Sequence, residues 1–281
     1  MKVLVTGYKG QLGYDIVNEC RKRDIEAVGV DVEEMDITDA STVKKVITNG
    51  NYDAVIHCAA WTAVDKAEDE VELCTKVNVD GTKNIAVICE QLDIPMMYFS
   101  TDYVFNGEGE TPWNEYDKRE PLSVYGDTKC EGEKIVEKLA KHFIIRISWV
   151  FGYNGNNFIK TMKTLGSDRD ELNVVNDQFG SPTYTYDLAK LSVDMIGTDK
   201  YGIYHATNEG ICTWYEFAQE IFRLSNIDIK VNPVTSDAFP AKAHRPKNSR
   251  MNKTELDKNG FSRLPDWKDA LRRYIEIIEE K

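Results

Sequence analysis

Tyr125 and Lys129, in the stretch "PLSVYGDTKCEGEK" at 121–134, stand four residues apart. On a helix they share one face, with Cβ atoms about 5–6 Å apart. A phenol beside an ammonium is a proton-transfer pair: the phenol exchanges a proton with a carbonyl or hydroxyl oxygen, and the ammonium lowers the phenol's pKa. Bringing a phenol from near 10 to about 7 takes roughly 4 kcal/mol. One unit charge about 4 Å away supplies about that much at an effective dielectric of 20. Spacing alone does not decide, because Tyr186 and Lys190 in "YTYDLAK" repeat it. Context separates the two pairs. Thr101 ends the apolar run "MMYFST" and offers a hydroxyl that would orient a substrate oxygen ahead of Tyr125. The Tyr186 pair follows no such strand end and reads as ordinary helix surface with some packing.

These residues need a frame. Short β-branched runs recur at 2–6, 26–31, 53–58, 96–101, 143–148 and 172–175, separated by amphipathic stretches at 11–24, 41–49, 77–93 and 129–142. Fully apolar short strands alternating with helices indicate a parallel sheet covered on both faces. The expected fold is α/β: a Rossmann-type doubly wound parallel sheet with a smaller α/β substrate-binding lobe. Residues 1–150 form the dinucleotide-binding domain, with segments near 175–205 returning to it, and 151–281 form mainly the lobe. In the lobe, Thr213 opens one helix and Asp266 caps another. The polar stretch 106–121 reads as a loop over the site.

In such folds ligands sit beyond the carboxyl ends of the strands. The first strand runs into "TGYKGQLG", which places Gly7, Gly10 and Gly13 immediately before a helix. Backbone amides there can approach a pyrophosphate, although a tight turn needing positive φ asks for the same glycines. Asp31, at the end of the second strand, would accept from ribose hydroxyls and repel a 2′-phosphate, which favours NADH over NADPH; Lys9 works against that preference. Asp36 and Ile37 lie where an adenine could be recognised, while Thr38 or Asp39 could equally cap the next helix. Small Ala59 and Ala60 end the third strand and leave room for a cofactor against the backbone.

The 281 residues carry a formal charge of −12 and 42% apolar residues. That charge argues against nucleic acid or an anionic membrane as partner. No 18-residue apolar span or signal segment is present, and six scattered cysteines without a C-x-x-C pair suit a reducing, cytoplasmic setting. With four histidines a dedicated metal cage is not expected. One stretch runs against the acidic balance: Lys242, Arg245, Lys247, Arg250 and Lys253 with no acid between them. It reads either as a solvated basic loop or as a site for a small polyanion such as a nucleotide diphosphate.

The Thr101, Tyr125 and Lys129 set resembles that of the extended short-chain dehydrogenases/reductases. Within them, "GQLG", "AAWTAVDKAE", "STDYVFNG", "RISWVFG", "DQFGSPTYTYDLA", "YHATNEGICTWYEFAQEI" and "RPKNSRMNKTEL", in this order, resemble the dTDP-4-dehydrorhamnose reductases. The resemblance implies reduction of the C4 ketone of a dTDP-sugar by NADH or NADPH, with Tyr125 as general acid, Lys129 tuning it and binding ribose, and Thr101 orienting the ketone. It adds Gln11, Leu12 and Thr62 to the cofactor site. It assigns Asp102, Tyr103, Trp149, Arg245, Asn248 and Ser249 to the substrate. Related 4,6-dehydratases carry Thr-Asp-Glu where this chain has Thr101-Asp102-Tyr103, which disfavours dehydration. Some reductases use Mg²⁺ at a dimer contact; Asp15 stands where those have a glutamate, and the other ligands are not identifiable here. A monomer or homodimer is expected. Another sugar-nucleotide reductase or epimerase, or a non-catalytic nucleotide-binding regulatory subunit, is the alternative reading.

Overall fold

The computed structural model describes residues 1–280. The apolar runs build one six-stranded, wholly parallel sheet. Its spatial order is Gly202–His205, His142–Ile147, Met96–Thr101, Ala54–His57, Lys2–Thr6, Glu26–Val30. Side chains alternate across each strand and so feed two cores. Val3, Val5, Ile56 and Met97 pack with Leu12, Ile16 and Leu188 on one face. Leu4, Val55, Met96 and Tyr98 pack with Val43, Ile47 and Ile85 on the other. A third core, around Phe151, Phe217 and Tyr274, belongs to the lobe.

Several expectations are corrected. The run "LNVV" does not join the main sheet: Glu171–Val175 pairs in parallel with Lys230–Val234 in the lobe. Its residues alternate between exposed and buried, which suits a strand with one covered face. The edge place goes to Gly202–His205, next to His142–Ile147. The helix behind Tyr125 begins at Val124, well before Lys129, because the Ser123 hydroxyl accepts the Gly126 N–H at 3.1 Å and caps it. Both members of the pair therefore lie on the helix. The stretch 77–93 is not one regular helix: a π turn at Lys76–Gly81 precedes Thr82–Leu92. The turn aims Asn78 at the third strand's exit, where its Oδ1 accepts the Trp61 N–H at 2.8 Å. The loop 106–121 packs away from the site: Trp113 stacks on Phe105 at 4.7 Å and donates to the Asn248 carbonyl at 3.1 Å. Burying that large ring there offsets the cost of ordering the loop.

The lobe helices start where the sequence places them. Thr213 and Glu216 form a reciprocal capping box before Trp214–Leu224, and Asp266 caps Trp267–Glu279. Thr185–Ile196 leaves the lobe to cover Gln11–Lys22 on the main sheet. Among the described residues no helix is long and apolar enough to cross a membrane.

One ion network ties the Tyr125 helix to the sheet. Arg146, 1% exposed, reaches Glu133 with both Nε and Nη2, at 2.8 and 2.7 Å. Glu133 is wholly buried and also accepts from Arg119 at 2.9 Å. Removing one partner leaves a buried charge under-compensated, so Arg146→Met is expected to cost about 3–5 kcal/mol. Urea denaturation checks this; a cost below about 1 kcal/mol, the size of a surface pair, would show the network is dispensable.

Candidate active site

The chain enters the sheet one strand in from an edge, turns outward to that edge with the second strand, then crosses to the other side of the first with the third. The carboxyl ends of Lys2–Thr6 and Ala54–His57 thus form the switch point where such sheets open a crevice. Gly7 stands there with φ +66°, and a Cβ on it would lie 2.8 Å from the Ala59 nitrogen. Gly13 closes the turn: a Cβ there would strike the Gly7 carbonyl oxygen. Gly10 precedes helix Gln11–Lys22 with no side chain capping it, so the first helical N–H groups point into the crevice. This cradle suits a pyrophosphate.

A cleft of about 770 Å³ opens over the switch point. It brings together Gly7, Gly10, Gln11, Leu12, Gly13, Asp31, Asp36, Ile37, Ala59, Ala60 and Thr62 with Thr101, Asp102, Tyr103, Tyr125, Lys129 and Trp149. Asp31 is held at the rim by the Lys9 N–H at 3.2 Å and the Val32 N–H at 2.9 Å. The Lys9 ammonium pairs with Glu33 rather than with Asp31. Asp36 accepts from the Thr38 N–H at 2.9 Å, and Asp39 is the cap of the next helix. Ile37 lies under Gly81, where a Cβ would meet it at 2.7 Å.

Burial dominates the chemistry of the deeper groups. Lys129 is 3% exposed, and its Nζ sits 3.9 Å from the centre of the Tyr98 ring. Desolvation brings its pKa down to about 7, against the pull of Glu133. The Tyr125 phenol moves above its ordinary value, again through burial first, with the Thr101 hydroxyl pulling it back and Asp102 and Tyr103 adding to the rise. Burial thus outweighs the expected lowering of the phenol by Lys129, which is not among the causes of the shift. The lysine moves toward its neutral form because burial takes its charge out of water. Tyr103 meets Tyr125 edge to face at 5.5 Å and is itself pushed up to about 12, chiefly by burial. Asp102 accepts from the hydroxyls of Thr101, at 3.0 Å, and Ser249. Burial nonetheless raises it to about 6. His57 is buried between Thr6 and Thr82 and falls to about 3, a neutral packing residue.

The basic segment is neither a bare solvated loop nor an open cluster of charge: four of its five cations pair with acids. Lys242 pairs with Asp69, Arg245 with Asp65 at 2.7 Å, Lys247 with Asp177 at 3.4 Å, and Lys253 with Glu209 at 3.2 Å. Arg250 covers the Phe179 ring at 4.3 Å. Ser249 backs Asp102 rather than lining the cleft. Asn248 is wholly buried, its amide donating to the carbonyls of Glu108 at 3.2 Å and Thr111 at 2.9 Å, and so holds the 106–113 loop. Arg245 and Lys247 line a second cavity of about 1150 Å³, together with Arg169, Phe158, Phe239 and Gln178. Asp15 is buried at the helix start and accepts from Thr185.

Two residues of the site escape a reading of motifs. Tyr98 supports Lys129 from the interior of the fourth strand, between the apolar Met97 and Phe99. Trp214 lines both cavities; its only sequence signal is an aromatic residue at the first position of a capped helix.

The family described as RmlD substrate binding domain matches residues 1–280. The dTDP-4-dehydrorhamnose reductase of Escherichia coli (strain K12) is 37% identical over 294 residues, covering 99% of this chain and 98% of that protein. The crystal structure of a dTDP-4-dehydrorhamnose reductase from Clostridium acetobutylicum superposes with a TM-score of 0.97 at 44% identity, over 99% of this chain and 100% of that one. That of the Bacillus anthracis reductase in complex with NADP gives 0.95 at 41% identity, over 98% and 99%.

The raised Asp102 carries a sign that can be checked. Its folded pKa, about 6, lies above the ordinary 3.8, so the folded state binds more protons between those values and stability falls as pH rises from about 4 to about 6. The loss attributable to this group is about 3 kcal/mol. Denaturation midpoints should fall over that range in the wild type relative to Asp102→Asn; parallel profiles would refute the assignment.

Proposed function

The chain belongs to the RmlD substrate binding domain family, and from that premise we propose that it reduces the C4 ketone of dTDP-4-dehydro-L-rhamnose to dTDP-L-rhamnose with NADH or NADPH. The observation that carries this reading is one cleft holding the glycine cradle at one end and the Thr101, Tyr125 and Lys129 set at the other, beside a cavity rimmed by Arg245 and Lys247.

The cofactor, when bound, supplies the hydride. The protein supplies the cradle of Gly7, Gly10 and Gly13, with Gln11 and Leu12 offering backbone N–H groups. Asp31 faces the adenosine ribose, and Asp36, Ile37, Ala59, Ala60 and Thr62 line the path. The Thr101 hydroxyl, turned from Asp102 to the ketone oxygen, holds that oxygen beside Tyr125. As hydride reaches C4, the ketone oxygen gains negative charge and takes the Tyr125 proton, giving the alcohol. A phenol kept protonated by burial is in the form that this direction requires. The phenolate left behind is matched by the Lys129 ammonium, whose pKa rises as that negative charge appears. The diphosphate lies toward Arg245 and Lys247, and Trp149 and Tyr103 flank the sugar. The segment 242–253 carries the substrate role through Arg245; Ser249 acts through Asp102, and Asn248 through the loop it anchors. Asp15 is engaged with Thr185. The six cysteines are all free thiols, which supports a place in the reducing cytoplasm.

The reading is tested by absorbance loss of NADH and NADPH in parallel with enzymatically prepared dTDP-4-dehydro-L-rhamnose, matched to dTDP-L-rhamnose formed. Tight cofactor binding with no net consumption would point instead to an epimerase. Tyr125→Phe is expected to bind NADPH as the wild type does and to lose about 10²–10⁴ in turnover; full turnover would overturn the acid assignment. Asp31→Ala, read as the ratio of kcat/KM values, is expected to shift preference toward NADPH by about tenfold, ~1.4 kcal/mol. An unchanged ratio would remove Asp31 from the ribose site.

A further inference from the structure

Two indoles stand where the cavities meet. Trp149 follows the fifth strand with φ +50°, a left-handed conformation that costs a bulky residue about 1–3 kcal/mol and persists only where its surroundings impose it. Its ring is held on both sides. The Trp214 indole stacks on it at 3.8 Å between centroids and 15° between planes. Gly180 passes behind, and a Cβ there would lie 2.9 Å from Trp149 Cε2. Trp214 is fixed in turn: it opens the capped helix Trp214–Leu224 and packs on Phe158 at 4.6 Å. Trp149 lines the cleft, whereas Trp214 lines both the cleft and the second cavity. A ligand with its ketone at Tyr125 and its diphosphate toward Arg245 and Lys247 has to pass this junction.

We propose that Trp214 is a specificity-determining residue, an inference that rests on the sugar-nucleotide reading above. One face of its indole fixes Trp149 against the sugar, and the part exposed in the second cavity packs against the nucleotide half. An indole suits this role because it brings large contact area with little side-chain freedom to lose. Selection for a nucleotide-linked sugar over a free one is thereby built into the residue that also shapes the sugar pocket.

The test uses Trp214→Ala and Trp214→Phe in the full chain. Three quantities are measured: KM and kcat for dTDP-4-dehydro-L-rhamnose, calorimetric affinity for dTDP and for NADPH, and the circular-dichroism couplet of the stacked indoles. Trp214→Ala is expected to lose the couplet, to raise KM and weaken dTDP binding about three- to tenfold, and to leave NADPH affinity unchanged. Trp214→Phe, which keeps a planar face, should recover most of the affinity. If the alanine variant does not fold, Trp214→Leu, which fills space without a planar face, must show the same rise in KM. Loss of the couplet with KM and dTDP affinity within twofold of wild type would overturn the proposal. A wild type that binds NADPH but neither binds dTDP nor turns over the ketosugar would instead remove the sugar-nucleotide reading, and this inference with it.

Discussion

A parallel sheet wrapped in apolar helices on both faces leaves polar chemistry one place to go, the carboxyl edge of its strands. Everything functional in this chain is arranged by that constraint. The close approach of Gly7 to Ala59 is its tightest expression: the first and third strands end so near each other that no side chain fits between them. The crevice is therefore floored by backbone, which is what a pyrophosphate and a ribose need. Thr101 reaches the same edge because it ends the fourth strand, and Tyr125 and Lys129 because Ser123 starts their helix early.

The same enclosure sets the electrostatics. Tyr125, Lys129 and Asp102 all move toward their neutral forms, each with burial as the first cause. A site walled off from water lets the charge that develops on a reacting oxygen meet donors that have little competing hydration. The charges that remain fixed nearby, Glu133 and Arg146, are committed to each other and act by locking the helix to the sheet. Acidic neighbours likewise neutralise four of the five basic residues of the segment, so that Arg245 reaches the second cavity as one half of a pair with Asp65.

Much of this was legible in the sequence. Alternating strands and helices, the glycine turn, the helix caps at Thr213 and Asp266, and the gathering of Thr101, Tyr125 and Lys129 follow from local patterns that the tertiary structure keeps. What was not legible depends on long-range partners. "LNVV" carries a strand pattern but nothing that says which sheet it joins; that depends on Lys230–Val234, far along the chain. The charges at 242–253 look unopposed until Asp65, Asp69, Asp177 and Glu209 are brought to them. A phenol–lysine spacing reveals proximity and not solvation, so the direction of both pKa shifts was hidden. Trp214 acquires its importance only through Trp149, whose left-handed backbone no motif announces.

The central claim is that the cradle and the Tyr125 group act on one substrate carbon across a single cleft. Its most direct measurement is the fate of deuterium carried at both positions of C4 of the reduced nicotinamide, followed by NMR of the sugar product. The account predicts deuterium at C4 of the deoxysugar, one per cofactor consumed, in the wild type. Deuterium at any other sugar carbon, or product formed without label, would contradict it.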